Sequence, residues 1–235
     1  MKLQNLEGFY RWHSKVYEIT RSIFLAGRTE AVDLLALQDG DRIIDWGCGT
    51  GLNFPLLLRK KVDLVGIDDS ASMLGRAREK FPEIELVQGD MSHYPFPEQA
   101  DKAICTYSLS MVDPWKETIR NICRALKPTG RLVILDFGQL TGPLKLLAPF
   151  FSAWLKLHGV NPGMSLSSLL PKYFHGLKIR SLHRGYSFLA LAEFPVLQPS
   201  PTRPPDRPFR VVSQRFIFPP GGSRPILSFD FTLNR

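Results

Sequence analysis

Apolar and polar positions alternate in two different rhythms along the chain, and together they predict an α/β fold. Near the start, an apolar residue recurs every three or four positions, at Phe9, Trp12, Val16, Ile19 and Ile23, which places these side chains on one face of a helix. From residue 42 onward, short apolar runs such as RIIDWG, VDLVGID and GRLVILDF alternate with helix-like segments such as SASMLGRAREKF and WKETIRNICRAL. Apolar strands separated by helices are typical of a parallel sheet covered on both faces. The pattern therefore predicts a doubly wound sheet preceded by an amphipathic helix.

The end of the chain departs from this alternation. LKIRSLHRG and YSFLALAEF predict an antiparallel hairpin that closes the sheet, with the amphipathic stretch 143–157 inserted before it. The last forty residues hold eight of the nineteen prolines, which predicts an extended or disordered appendage in which FRVVSQRFIF forms one edge strand. We therefore divide the chain into a lid or membrane-docking helix at 1–29, a main domain at 30–195 and a Pro/Arg-rich extension at 196–235.

Charge, cysteine content and hydropathy limit the classes of function that the chain can have. The net charge of +8 suits an anionic surface, but half of it lies in residues 196–235, so it does not by itself indicate nucleic acid. The three cysteines are scattered and have no metal-ligand spacing, which argues against disulfides and against a metal site. The chain starts without a secretory signal pattern, and residues 144–157 are too short to cross a bilayer although they could lie on one. We expect a cytoplasmic protein and leave its oligomeric state open.

A glycine-rich turn follows the first predicted strand. Gly47, Gly49 and Gly51 read GxGxG behind Asp45, whereas the dinucleotide fingerprint is GxGxxG and a phosphate-binding Walker loop ends in GK[ST]. Glycines at such a turn let backbone amides at a helix N-terminus approach a ligand that side chains would exclude. The spacing excludes the two commonest nucleotide loops and leaves a different nucleoside-type ligand.

The sequence DWGCGTG resembles the first motif of the class I S-adenosylmethionine-dependent methyltransferases, which have a Rossmann-like fold. Later landmarks follow in that family's order, namely VGIDDSASML, VQGDMSHYPF and ALKPTGRLVILDF. The resemblance covers about residues 30–138 and implies S-adenosylmethionine as the cofactor. The cofactor-binding residues that it implies are Tyr17, Asp45, Gly47, Cys48, Gly49, Asp68, Asp69, Met73, Asp90, Met91 and Thr106.

The resemblance also implies individual roles. Asp68 ends the second strand, where it would accept the ribose hydroxyls, and Asp90 ends the third, where it would accept the adenine amino group. Met91 would pack on the adenine ring, and Met73 would form both core and adenine wall. Asp45 either contacts the ligand or braces the loop from below.

Cys48 is interpreted as a small loop filler rather than a nucleophile, because no histidine lies near it in sequence.

The segment after the fourth strand reads TYSLSMVDPW, without the NPPY-like tetrapeptide of methyltransferases that act on nucleic-acid bases or glutamine, which argues against nucleic acid. Closer features are YRWHSKVYEITR, TYSLSMV and LDFG followed by HRGYSFLALAEFP, which resemble bacterial phospholipid and betaine-lipid headgroup N-methyltransferases. Glu18 stands where that group usually has Asp, and Tyr17 remains the expected cofactor contact. The resemblance implies an enzyme that N-methylates a membrane lipid amine.

Such an enzyme would be peripheral to the inner face of the plasma membrane. Its N-terminal helix would meet anionic phosphates through Arg11, Lys15, Arg21 and Arg28, although the helix could instead serve only to cover the cofactor pocket. The candidate catalytic residues, which would orient the amine or accept its proton, are Tyr107, His13 and Tyr10.

Two other functions stay open at this point. One is a methyltransferase of a quinone or of a small soluble metabolite, because related quinone C-methyltransferases share parts of these motifs. The other is an inactive protein that binds S-adenosylmethionine and recruits an acidic partner through its arginine-rich tail.

Overall fold

The computed structural model describes residues 27–96, 98–157, 159–161, 164 and 166–196, together with the backbone of 213–217 and 226–230. Its α-helices are α1 (Arg28–Leu34), α2 (Phe54–Leu57), α3 (Ala71–Lys80), α4 (Trp115–Ala125), α5 (Ala148–Leu157) and α6 (Leu166–Leu169). Short 3-10 helices cover Leu109–Met111, Gly142–Leu147, Leu170–Lys172 and His183–Gly185.

Seven strands form one twisted sheet, which confirms the predicted α/β class. They are β1 (Arg42–Trp46), β2 (Asp63–Asp68), β3 (Glu85–Gln88), β4 (Ala100–Thr106), β5 (Leu126–Phe137), β6 (Phe174–Leu182) and β7 (Ser187–Pro195). Their order is β3-β2-β1-β4-β5-β7-β6, with β7 antiparallel to both β5 and β6. Because the strand order reverses between β1 and β4, a crevice opens at their carboxyl ends, where doubly wound sheets bind ligands.

The hydrophobic core lies on both faces of this sheet, as the apolar strand sequences predict. In β5, Leu132 and Ile134 pack on one face, while Val133 and Leu135 pack on the other, and all four are fully buried. The helices that cover the two faces keep the central strands away from water, so the carboxyl edge of the sheet is held rigidly.

Several elements differ from the sequence prediction. The helix expected over residues 52–60 is only α2, Phe54–Leu57, because the chain turns back at Lys61, whose amide hydrogen bonds Asp39 while its carbonyl accepts from Gly40. In the C-terminal extension, β8 (Ser213–Ile217) pairs with β9 (Ile226–Asp230) as an antiparallel hairpin instead of forming one edge strand. Three prolines and two glycines lie between these strands in the sequence and suit a chain reversal.

Among the described residues, none belongs to a helix that is both long and apolar enough to span a bilayer. The closing hairpin β6–β7 has the predicted position. Residues 1–26, which contain nearly all of the predicted N-terminal helix, lie outside the described part of the chain.

We expect the buried strand β5 to contribute strongly to stability. Ile134 is fully buried, so Ile134→Ala removes packed atoms and should lower the free energy of unfolding by about 2–5 kcal/mol. Ile179, which is 41% exposed on β6, provides the control, and Ile179→Ala should cost less than about 1 kcal/mol. Urea denaturation measures both, and equal losses would contradict this placement of the core.

Candidate functional site

The candidate site lies at the carboxyl ends of β1, β2 and β4. Pairing of Trp46 with both Ile67 and Cys105 aligns the three strand ends. The glycine loop follows β1, Asp68 ends β2, and Thr106 ends β4. The structure thus brings the loop, Asp68 and Thr106 to one edge of the sheet.

The three loop glycines are required for different reasons. All have positive φ: 71° at Gly47, 57° at Gly49 and 77° at Gly51. A Cβ at Gly47 would come within 2.5 Å of the Ser108 side chain, and a Cβ at Gly51 would lie 2.7 Å from the Phe54 ring. At Gly49 the nearest atom would be Met73 Cε, at 3.4 Å. Protein packing therefore excludes side chains at Gly47 and Gly51, whereas Gly49 leaves room for a ligand.

The Asp68 carboxylate is oriented by backbone amides. One oxygen accepts a hydrogen bond from the Gly49 amide at 2.8 Å, and the other accepts from the Ser70 amide at 3.0 Å. Asp68 therefore links the glycine loop to the N-terminus of α3, where Ser70 caps the helix. The next residue, Asp69, has an exposed side chain in the same turn.

Two thioethers, those of Met73 and Met91, lie against the loop. Met91 is 7% exposed, and its sulfur lies 3.3 Å from the position that a Cβ of Gly47 would occupy. Met73 Cε reaches Gly49 from α3. Flexible, polarisable side chains of this kind suit contact with a flat ring.

Asp90 follows β3 and is partly engaged by its neighbours. Its carboxylate accepts from the Ser92 amide at 2.8 Å and from the Ser92 hydroxyl, and it contacts His93 Nδ1 at 3.2 Å. Partial burial opposes ionisation, but the hydrogen bonds from Ser92 and His93 hold the pKa of Asp90 below its ordinary value. A carboxylate has about four acceptor positions, so Asp90 keeps capacity for one further donor.

Beneath the loop, Asn53 joins three elements. Its amide nitrogen donates to both oxygens of Asp45 at 3.1 and 3.0 Å and lies 3.0 Å from the Thr106 hydroxyl. Its carbonyl oxygen accepts from Arg28 Nε at 3.1 Å. We call Arg28, Asp45, Asn53 and Thr106 the buried network. Of the two alternatives for Asp45, this geometry favours the brace beneath the loop.

The buried network corrects one sequence interpretation. Arg28 does not face a membrane phosphate, because its guanidinium points inward to Asn53 and lies 5.5 Å from the centre of the Tyr107 ring. Sequence reasoning also missed Asn53, since an asparagine after a glycine loop has many ordinary uses. One signal could have identified Asn53: it lies only eight residues after Asp45, and the glycine turn between them folds the chain back toward β1.

Burial changes the acid–base behaviour of this layer. Burial raises the pKa of Asp45 to about 7, against the lowering effects of the Asn53 hydrogen bond and the Arg28 charge. Burial also raises the pKa of the Cys48 thiol well above its ordinary value. Cys48 packs below the loop, 6% exposed, as a thiol rather than a nucleophile, which agrees with the loop-filler interpretation.

Tyr107 starts a row of aromatic rings that leads away from the glycine loop. Its ring lies 5.0 Å from that of Phe137, which lies 5.8 Å from Tyr186, which in turn lies 5.4 Å from Phe151 on α5. We call these four residues the aromatic row. Tyr107 is 1% exposed, and burial raises its pKa to about 12. Its phenol is therefore protonated at neutral pH, which favours a positioning role over that of a general base.

A second buried acid lies beside Tyr107 and was not expected from the sequence. Asp136 ends β5 and accepts from the Ser110 hydroxyl at 2.6 Å, the Ser110 amide at 2.9 Å and the Phe137 amide at 2.8 Å. Burial raises the pKa of Asp136 to about 6 in spite of these hydrogen bonds. The Ser110 carbonyl accepts from the Asn161 amide at 2.7 Å, so Asp136 indirectly fixes the segment after α5.

A cleft of about 410 Å³ opens beyond β5, next to the aromatic row. Its walls combine an apolar side with two lysines and two amides. The lining residues are Gly138, Gln139, Leu140, Lys145, Ala148, Phe151, Ser152, Lys156 and Asn161. A cleft that begins at the carboxyl end of a buried parallel strand is a natural place for a second substrate. Of the remaining predicted site residues, Tyr10, His13 and Tyr17 lie outside the described residues.

The residues at the strand ends fit a nucleoside with vicinal hydroxyls and a flat base. Gly49 leaves space at the loop, Asp68 presents an oriented carboxylate, and Met73 and Met91 offer two apolar surfaces. These are the groups that S-adenosylmethionine needs for its ribose and adenine.

Residues 44–134 match a family model described as a methyltransferase domain. The chain is 28% identical over 136 residues to a demethylmenaquinone methyltransferase of Renibacterium salmoninarum, an alignment that covers 55% of this chain and 57% of the relative. It is 38% identical over 117 residues to a 2-phytyl-1,4-naphtoquinone methyltransferase of Thermosynechococcus vestitus, covering 46% and 52%. The chain thus spans about half the length of the curated relatives it matches.

The fold also matches solved structures. One is a phosphoethanolamine N-methyltransferase of Haemonchus contortus, in complex with phosphomonomethylethanolamine and S-adenosylhomocysteine. The TM-score is 0.64 at 14% identity, over 79% of this chain and 58% of that one. At this identity the likeness concerns the fold, which is the Rossmann-like class I methyltransferase fold that the sequence predicts.

Two glycine substitutions separate ligand contact from protein packing. Gly49→Ala keeps ordinary contacts in the protein but places a methyl group where the ligand would approach. It should therefore weaken S-adenosylhomocysteine binding at least about tenfold, while the positive φ costs about 1–2 kcal/mol. Gly51→Ala meets the Phe54 ring and should cost more stability than Gly49→Ala. Calorimetric titration and urea denaturation read the two effects, and a reversed order would refute this assignment of the glycines.

The buried Asp45 predicts a pH dependence of stability. Because its pKa is about 7 when folded and near 3.8 when unfolded, the folded state holds the proton longer, and the free energy of unfolding falls as pH rises from about 4 to about 7. Asp136 acts in the same direction. Between pH 5 and pH 8, the free energy of unfolding of Asp45→Asn should therefore fall by about 2 kcal/mol less than that of wild type.

Urea denaturation at several pH values measures this change. Asp33→Asn, at an exposed position on α1, is the control and should keep the wild-type slope. An unchanged slope in Asp45→Asn would show that Asp45 is ionised in the folded protein at pH 5.

Proposed function

We propose that this chain is a class I S-adenosylmethionine-dependent methyltransferase and that it methylates the ring of a prenylated quinol held in a membrane. The observation that carries the proposal is the aromatic row, which runs from Tyr107 at the glycine-loop edge to Phe151 in the wall of the cleft. The two quinone methyltransferases that the chain resembles lend it support.

The cofactor supplies an electrophilic methyl group on a sulfonium. The tasks of the protein are to hold the acceptor in line, to exclude water and to remove a proton. Asp68, the glycine loop and the two thioethers hold the cofactor, and the buried network keeps the loop in position. Phe151 and Tyr186 offer flat apolar surfaces for an aromatic acceptor.

The acceptor must lose its phenolic proton to solvent water before attack, because a quinol ring becomes a strong carbon nucleophile only as its phenolate. The ring proton that the methyl group replaces leaves to solvent water in the same way. Tyr107 carries its own proton at neutral pH. Burial raises the pKa of Asp136 to about 6, and its carboxylate lies among hydrogen-bond donors of the protein near the end of β5. We assign Asp136 a positioning role through Ser110, because its carboxylate accepts three hydrogen bonds from the protein itself.

A lipid amine is the second candidate acceptor. Lys145 and Lys156 line the cleft, and two ammonium groups suit a phosphodiester beside an amine headgroup. The same observation suits a soluble phosphate ester less well, because the cleft also has an apolar side formed by Leu140, Ala148 and Phe151.

A direct competition of acceptors tests the proposal. Full-length protein is incubated with methyl-labelled S-adenosylmethionine and vesicles that contain either a chemically reduced demethylated naphthoquinone or phosphatidylethanolamine. We expect label in the quinol and not in the amine. Label in phosphatidylethanolamine alone would replace the quinol by the second candidate, and no label in either, with cofactor still bound, would refute both.

Variants connect the activity to the site. Asp68→Ala should lower methyl transfer at least about tenfold through weaker cofactor binding, since it removes a charged hydrogen-bond acceptor. Glu79→Ala, at an exposed position at the far end of α3, is the control and should keep wild-type activity. Phe151→Ala should raise the KM for quinol more than that for cofactor; the opposite result would remove the cleft from the acceptor site.

A further inference from the structure

A continuous apolar surface lies on the outer side of α5 and the turn before it. Leu146, Phe150 and Leu157 are 85%, 76% and 83% exposed, and Leu147 and Trp154 are 53% and 43% exposed. Successive members lie one, three, four and three residues apart, which keeps most of them on one side of the helix. We call these five residues the α5 apolar face. Large side chains at this exposure cost free energy in water, so a partner is expected.

The opposite side of α5 is firmly attached to the domain. Leu155 is fully buried, Phe151 packs against Tyr186 at 5.4 Å, and the Leu155 carbonyl accepts from the Val160 amide at 2.9 Å. The start of the segment is fixed as well, because the Thr141 amide donates to the Arg184 carbonyl at 2.8 Å. The helix therefore presents its apolar face from a supported position.

The surrounding charge has one sign. From residue 137 to residue 192 the sequence contains no aspartate or glutamate, and it contains six basic residues, at Lys145, Lys156, Lys172, Lys178, Arg180 and Arg184. Lys145, Lys156 and Arg184 are exposed and lie in or next to the α5 segment. Apolar side chains bordered by cations favour a surface that combines hydrocarbon with negative charge.

The size of the face distinguishes a bilayer from a second protein. A helix of ten residues is about 15 Å long, so its outer side is small compared with the roughly 800 Å² that each partner buries in a typical stable protein interface. A bilayer imposes no such minimum, because it accepts individual side chains into the headgroup region while lysines stay at the phosphates.

We propose that the α5 apolar face docks this protein on a bilayer that contains anionic lipid, with the axis of α5 along the membrane surface. Docking requires neither cofactor nor acceptor, so it is independent of the proposed function. It also places the cleft beside the membrane, because Lys145 and Lys156 border the apolar face and line the cleft at the same time.

Vesicle co-sedimentation of the full-length protein tests the docking. The vesicles are phosphatidylcholine alone, or phosphatidylcholine with one third phosphatidylglycerol, and no S-adenosylmethionine is added. Wild type should bind the anionic vesicles and lose most of this binding in high salt. Phe150→Asp/Leu157→Asp should reduce the partition coefficient at least about tenfold, because two apolar side chains that would enter the bilayer are replaced by charged ones.

The matched control is Ile179→Asp/Phe194→Asp, which changes two other exposed apolar residues, on β6 and β7. It should bind as wild type does. The thermal unfolding midpoint of each variant shows whether the fold is kept, which is expected because all four side chains are at least 41% exposed.

Three results would overturn the proposal. The first is equal binding by wild type and Phe150→Asp/Leu157→Asp. The second is binding that survives this change but is lost in Phe9→Asp/Trp12→Asp, which would assign docking to the N-terminal segment. The third is that wild type does not bind vesicles but forms dimers, and that Phe150→Asp/Leu157→Asp is monomeric. This result would make the face a contact between two copies of the chain.

Discussion

The candidate site depends on the hydrogen bonds of one side chain, the amide of Asn53. It connects Asp45 at the end of β1, Thr106 at the end of β4 and Arg28 on α1. A buried carboxylate without such partners would cost several kcal/mol and would change the shape of the turn above it. With the amide in place, the strands on either side of the switch point are held at a fixed separation. The glycine loop can then keep three positive φ angles within five residues.

The same edge of the sheet also connects the cofactor region to the α5 surface. Tyr107 contacts both Arg28 of the buried network and Phe137 of the aromatic row. Phe137 and Tyr186 continue to Phe151, whose helix carries the exposed apolar face. Packed rings transmit position well, because they have few rotamers and close contacts on both sides. The cofactor region, the proposed acceptor cleft and the proposed docking face therefore lie next to one another along one edge of the sheet.

The sequence predicts the fold well because its signals are local. The apolar strands and the glycine turn each depend on residues within a few positions of one another, and β1, β2, α3 and the closing hairpin lie where they are expected. Asp68 and Met73 are likewise recognisable, because Asp68 ends a strand and Met73 lies in the helix that follows it, within one continuous motif.

The contacts that sequence reasoning missed join distant parts of the chain. On a helical wheel, Arg28 is interpreted as a surface cation. In the structure it turns inward, because its partners are Asn53 and the Tyr107 ring, which lie 25 and 79 residues away along the chain. The sequence gives no sign that Asp136 differs from an ordinary residue near a strand end, because only folding brings Ser110 to it. The α5 apolar face was visible as an amphipathic stretch, but which of its residues are buried depends on packing against Tyr186 and the 183–185 turn.

The most direct test of the central claim is a crystal structure of the full-length protein with S-adenosylhomocysteine. We predict that the ribose hydroxyls bind the Asp68 carboxylate, that the adenine lies between Met73 and Met91, and that Asn53 keeps its hydrogen bonds to Asp45. A ligand bound elsewhere, or a loop that rearranges so that Asp45 replaces Asp68 at the ribose, would contradict the account.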